Sequence, residues 1–120
     1  MTALHPLDAV APAVPPLVEA EAMLRPHVDF VGSSARWGVN KPAPEFFVRL
    51  AREAGVPPGR LAYVGDRVDN DIQPAIAMGM VAVHIRRGPW GLLHEPPSAA
   101  LAIRSLDELP SILSQVRRLR

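Results

Sequence analysis

The chain has 120 residues, a net charge of +1 and no cysteine. That length sets one ordinary domain with room for a real core. The near-neutral charge gives no general electrostatic case for a nucleic-acid or membrane-surface partner, and the lack of cysteine excludes disulfides and thiolate metal sites. With no signal-peptide pattern and no long apolar span, a cytoplasmic location is the default expectation.

Residues 1–16, MTALHPLDAVAPAVPP, contain Pro6, Pro12, Pro15 and Pro16 and show no sustained period. Prolines interrupt a helix and spoil a central strand, so an irregular arm is predicted. Residues 17–25, LVEAEAMLR, predict a short helix with a weak apolar face at Leu17, Ala20 and Leu24. Arm and helix together make a segment 1–26 ahead of a main domain at 27–120. HVDFVG (27–32) reads as a short buried strand ending in glycine. In KPAPEFFVRLAREAG, Pro44 suits the first helical position. Phe46, Phe47, Leu50, Ala51 and Ala54 form one apolar stripe, and Gly55 suits the left-handed residue that closes a helix.

LAYV (61–64) is an apolar run of strand length ended by Gly65. DIQPAIAMG (71–79) predicts a helix with Asp71 as N-cap, Pro74 in the first turn and Gly79 closing it. VAVHI (81–85) is the clearest strand, for its β-branched content. Residues 86–100 read as a long loop and LAI (101–103) as a short edge strand. A final helix is predicted over 107–117 with Leu109, Ile112, Leu113 and Val116 on one face. Ser105 and Glu108 have capping-box spacing, yet Asp107 as N-cap would leave Pro110 nearer the helix start. Strands alternating with helices imply an α/β fold with a parallel sheet.

The chemistry concentrates in LAYVGDRVDNDIQPA, where Asp66, Asp69 and Asp71 crowd behind an apolar strand. In open α/β sheets ligands bind beyond the carboxyl ends of the strands, where Asp66 should project. Converging carboxylates repel, and a hard cation relieves that repulsion. Mg²⁺ takes one or two carboxylates and keeps waters and substrate oxygens as its other ligands. Against this, Asp and Asn are common turn residues, so on the acids alone a cap and a solvated charge explain the cluster equally well. Lys41, in GVNKPAPEFF, adds a point charge at another strand-to-helix junction, able to hold a phosphoryl oxygen or the carboxylate that carries one.

Together, GVNKPAPEFF and YVGDRVDNDIQPAIAMGM resemble the C-terminal half of haloacid dehalogenase (HAD) superfamily hydrolases, over about residues 28–113. The resemblance implies a three-layer, Rossmann-like parallel sheet. It also implies Mg²⁺-dependent phosphomonoester hydrolysis through an aspartyl-phosphate, with a small phosphorylated metabolite as substrate. It assigns Lys41 to stabilising the phosphorylated aspartate, and Asp66 and Asp71 to Mg²⁺; Asp69 has no fixed role. The family's nucleophilic Asp-x-Asp has no counterpart before Lys41. Asp8 and Asp29, the only upstream aspartates, lack a second Asp two residues on. Ser33 and Ser34 read as loop serines rather than the family's Ser/Thr motif. In the family's strand order 5-4-1-2-3, this chain would supply strands 3, 4 and 5, without strands 1 and 2 or the cap domain. The expectation is a truncated hydrolase whose sheet re-pairs, recruits residues 7–14, or is completed by another chain or a second copy.

Other residues read as structural. His84, Arg86 and Arg87 are expected to be one partly buried histidine and two solvated arginines; Trp37 and Trp90 should pack loops. His5, His27 and His94 lack metal-ligand spacing, and no glycine-rich phosphate loop is present. The competing reading is a non-catalytic α/β remnant that binds metal or phosphate, or serves as an interaction module.

Overall fold

Helices and strands alternate along the computed structural model, which describes residues 26, 28–30 and 32–119. The expected arm and first helix therefore lie outside the described residues, apart from Pro26. Helix α1 (Ser34–Trp37) starts at Ser33, whose Oγ accepts from the Arg36 amide at 3.2 Å. Helix α2 (Pro44–Ala54) follows the prediction at both ends, with Pro44 in its first turn and Gly55 closing it at φ 71°. Strand β1 (Ala62–Gly65) leads through a π-type turn (Val68–Ile72) into the short helix α3 (Gln73–Ala77). Strand β2 (Val81–Ile85), helix α4 (Gly88–Leu93), strand β3 (Leu101–Ile103) and helix α5 (Leu109–Leu119) complete the order.

The three strands form one parallel sheet in the order β1-β2-β3. Alternation along each strand sends side chains to opposite faces. Tyr63 and Ala82 join Phe46, Phe47 and Leu50 of α2 and Ile72 and Ala75 of the turn and α3 in one buried cluster. Val83, Ile85 and Ile103 form a second cluster, packed by Leu109 and Ile112 of α5. The sheet is thus sandwiched between helices, the three-layer α/β arrangement expected from the sequence.

Several expectations are corrected. The described residues of 27–32 form no strand. Phe30 instead packs against the α2 cluster, and Gly32 lies under Trp37, where a Cβ would meet the indole at 2.0 Å. The sheet among the described residues is instead β1 and β2 with the expected short edge strand 101–103, which pairs with β2. Residues 86–100 are not all loop. Gly88 (φ 73°) turns the chain and α4 folds back over the end of β2, a path open to Gly91 because any Cβ there would meet the Ile85 carbonyl at 2.6 Å. The last helix is capped by Ser105, not Asp107: Glu108 Oε2 accepts the Ser105 amide at 3.0 Å. A 3₁₀ turn (Leu106–Glu108) takes up the first turn, so Pro110 costs the α-helix no bond. The Ser105 hydroxyl bonded to Asp107 holds that carboxyl below its usual range.

Phe47 is fully buried between α2 and the sheet, its ring 5.1 Å from that of Tyr63. Phe47→Ala is expected to destabilise the fold by about 3–5 kcal/mol, read as a lower urea midpoint with an unchanged slope.

Candidate functional site

The sheet's carboxyl edge carries the acidic cluster, and the local backbone sorts its three aspartates into three different situations. The turn Val68–Ile72 is wider than an α-turn: the Ile72 amide reaches back to the Arg67 carbonyl at 3.2 Å, alongside that of Asp71 at 2.9 Å. Such π-type turns recur at functional sites. The extra width brings two consecutive residues, Asp71 and Ile72, inside together and leaves Asp69 outside.

Asp71 is 4% exposed and its carboxylate is fully engaged. Oδ1 accepts from Lys41 Nζ and from the Tyr63 hydroxyl, each at 2.9 Å, and Oδ2 accepts the Arg67 amide at 3.3 Å. Asp71 is therefore not the helix N-cap expected from its position; its side chain turns into the fold instead of onto the helix amides. Gly65 makes room for it, since a Cβ at that position would lie 2.5 Å from Asp71 Cβ. Lys41, preceding a cis peptide bond to Pro42, is itself largely buried and stands 5.9 Å from the Phe46 ring centroid. Burial pushes the Tyr63 hydroxyl well above its ordinary pKa, and the negative charge of Asp71 adds to the shift.

Asp66 follows β1 directly. Its backbone carbonyl accepts a bond from His84, while its carboxylate has no hydrogen-bond partner among the described residues. Asp69 is solvated and pairs with Arg67 through two bonds of 3.1 and 2.7 Å, which hold its carboxyl below the usual range. Among the described residues no group of three or more His, Cys, Asp or Glu is placed to hold a metal ion. The donor set nevertheless suits Mg²⁺, which needs only one or two protein carboxylates: Asp66 offers an uncommitted one, and the charge of Asp71 is already balanced by Lys41.

Sequence reasoning singled out Lys41 and Asp71, which the fold brings into contact across 30 positions. It missed Tyr63; the available signal was that this tyrosine lies in an apolar strand, on the same face as Gly65. It also missed the clamp on the acidic turn. The Arg67 guanidinium lies 4.3 Å from the Trp90 ring centroid, and His94 Nδ1 accepts the Val68 amide at 2.9 Å. Trp37, expected to pack a loop, instead ends α1 and packs against Phe46 and Arg49 of α2. Arg86 pairs with Glu95 and Arg87 is exposed. No helix among the described residues is long and apolar enough to cross a membrane.

Comparison with known proteins matches residues 38–109 to the model of the HAD-hydrolase-like family. The chain is 35% identical over 95 residues to a glyceraldehyde 3-phosphate phosphatase of Methanocaldococcus jannaschii, covering 79% of this chain and 42% of that protein. It is 40% identical over 82 residues to the Methanopyrus kandleri protein of the same name, covering 68% and 35%. Among solved structures, a HAD phosphatase from Thermococcus onnurineus superposes with a TM-score of 0.66 at 31% identity, over 80% of this chain and 43% of that one. The chain thus spans roughly two fifths of the length of these three proteins.

Tyr63 is the only tyrosine, so ultraviolet titration of the phenol reports on it alone. Its folded pKa is raised, so the folded state keeps a proton that the unfolded state loses near pH ~10. Stability is therefore expected to be intact below about pH 10 and to fall as pH rises beyond it, phenolate appearing only with unfolding. At neutral pH Tyr63→Phe is expected to cost about 1.5–3 kcal/mol, because the buried carboxylate loses a donor. Phenolate formation near pH ~10 in the folded chain would contradict this account of the site.

Proposed function

The chain belongs to the HAD-hydrolase-like family, and on that premise we propose that it carries the metal and lysine half of a Mg²⁺-dependent phosphomonoester hydrolase acting on a small phosphorylated metabolite. The observation that carries the reading is the Lys41–Asp71 ion pair of 2.9 Å, formed at the carboxyl edge of a parallel sheet one turn from the uncommitted carboxylate of Asp66. Of the two metal-site aspartates, Asp66 would hold Mg²⁺ directly, and Asp71 would act behind it by fixing Lys41 and the Arg67 backbone next to Asp66. The ion, when bound, supplies positive charge against the phosphoryl oxygens and the leaving group.

Lys41 keeps its ammonium at the site through Asp71 and offers its other N–H donors to a phosphoryl oxygen or to the attacked carboxylate. Tyr63 orients Asp71 from below, donating from the strand. Lys41 and residues 61–85 build this charge-balancing half. The attacking aspartate of the aspartyl-phosphate route is supplied from outside residues 1–120. Two relatives are glyceraldehyde 3-phosphate phosphatases by name, which supports a small phosphorylated substrate.

The competing reading, a non-catalytic module, draws on the full engagement of Asp71 by its three donors. An assay separates the two. The 120-residue chain with a generic aryl phosphate and Mg²⁺ is expected to show no turnover. A longer product, translated from DNA upstream of Met1 and bearing an in-frame Asp-x-Asp, is expected to turn over and to lose activity in Asp66→Asn and Lys41→Ala. Turnover by the 120-residue chain would overturn the external nucleophile; a folded, longer product that stays inactive would favour the non-catalytic module.

A further inference from the structure

The fold buries a second polar side chain that the reading above leaves without a task. His84, on β2, is fully buried, and its Nε2 lies 2.8 Å from the carbonyl oxygen of Asp66. A carbonyl only accepts, so Nε2 carries the hydrogen and donates it. The other ring nitrogen, Nδ1, is buried and has no partner among the described residues. An unpartnered buried nitrogen is unfavourable. The neighbours on the same strand, Val83 and Ile85, incur no such cost. The bond to Asp66 is what the imidazole provides in exchange.

The register explains why that bond matters. The ladder between β1 and β2 ends at the Gly65–His84 pair. Asp66 is the first residue beyond it, where backbone pairing no longer fixes the chain. The His84 side chain supplies one more link between the two strands at that point. The bond holds the backbone of Asp66 and leaves its carboxylate uncommitted, so the acid is aimed without being neutralised.

We propose that His84, as the Nε2–H tautomer, is a positioning residue that fixes the Asp66 backbone and so presents the Asp66 carboxylate to a divalent cation; the proposal rests on the metal-site reading above. Its task differs from that of Asp71, which holds a lysine, and from that of Asp69, which faces solvent.

The test is Mg²⁺ titration of the 120-residue chain by calorimetry, with the tautomer read from imidazole ¹⁵N shifts. The wild-type ring is expected to be protonated at Nε2. His84→Leu keeps the volume and removes the donor; it is expected to weaken Mg²⁺ binding by about 10–100-fold, the usual effect of losing an outer-shell partner. His84→Gln, whose amide N–H reaches the same region, is expected to restore binding. A wild-type ring protonated at Nδ1, or Mg²⁺ binding unchanged in folded His84→Leu, overturns the proposal. Should His84→Leu fail to fold, His84→Asn decides, because its amide is too short to reach Asp66; wild-type affinity in that variant would overturn the proposal equally. No Mg²⁺ binding by the wild-type chain sinks the metal-site reading itself, and the proposal with it. Wild-type binding that survives loss of the donor sinks this inference alone.

Discussion

Burying a carboxylate is costly unless every oxygen finds a donor, and the site depends on how this chain meets that demand for Asp71. Three segments each contribute one donor: Lys41 from ahead of α2, Tyr63 from β1, and the Arg67 amide from the turn after β1. None of the three can move freely without exposing an unpaired group to an apolar surrounding. The carboxylate therefore fixes the entry of a helix, the face of a strand and the width of a turn relative to one another. Gly65 is part of the same constraint, because only a residue without Cβ leaves space for the Asp71 side chain above the sheet.

From that constraint the functional geometry follows. A lysine left to itself at the start of a helix would be a solvated charge; held by Asp71 at 2.9 Å, it is largely buried and kept beside the sheet's carboxyl edge. Asp66, one residue past β1, is held through its backbone by His84 and keeps its carboxylate uncommitted among the described residues. Asp69 is drawn outward by Arg67, which in turn lies against Trp90 of α4. Helix α4 thus acts as an external brace on the acidic turn, with His94 accepting the Val68 amide beside it.

Much of the fold was legible because it is written in periodicity. The apolar stripe of α2, the β-branched run of β2 and glycines suited to close helices each belong to one element. What failed was context. HVDFVG looked like a strand because it is short and apolar, but its Phe30 packs against the helix layer instead. Helix α4 was hidden because its Gly and Pro content resembles loop, and its six residues carry no full apolar stripe. In the site, Lys41 and the acids were legible from residue type and spacing. The roles within the cluster were not, because a π-type turn changes which residue faces inward by a single position, and spacing alone favoured a cap at Asp71. Tyr63 was invisible as a partner because it meets Asp71 only through the tertiary fold.

The Lys41–Asp71 coupling is the claim on which the rest stands, and a double-mutant cycle measures it most directly. Lys41→Met, Asp71→Asn and the double variant would be compared with the parent chain by urea unfolding. The expected result is strong non-additivity, a coupling of about 1–3 kcal/mol between residues 30 positions apart in sequence. Single effects that add within ~0.5 kcal/mol would mean that the two charges act independently, and the site described here would lose its organising contact.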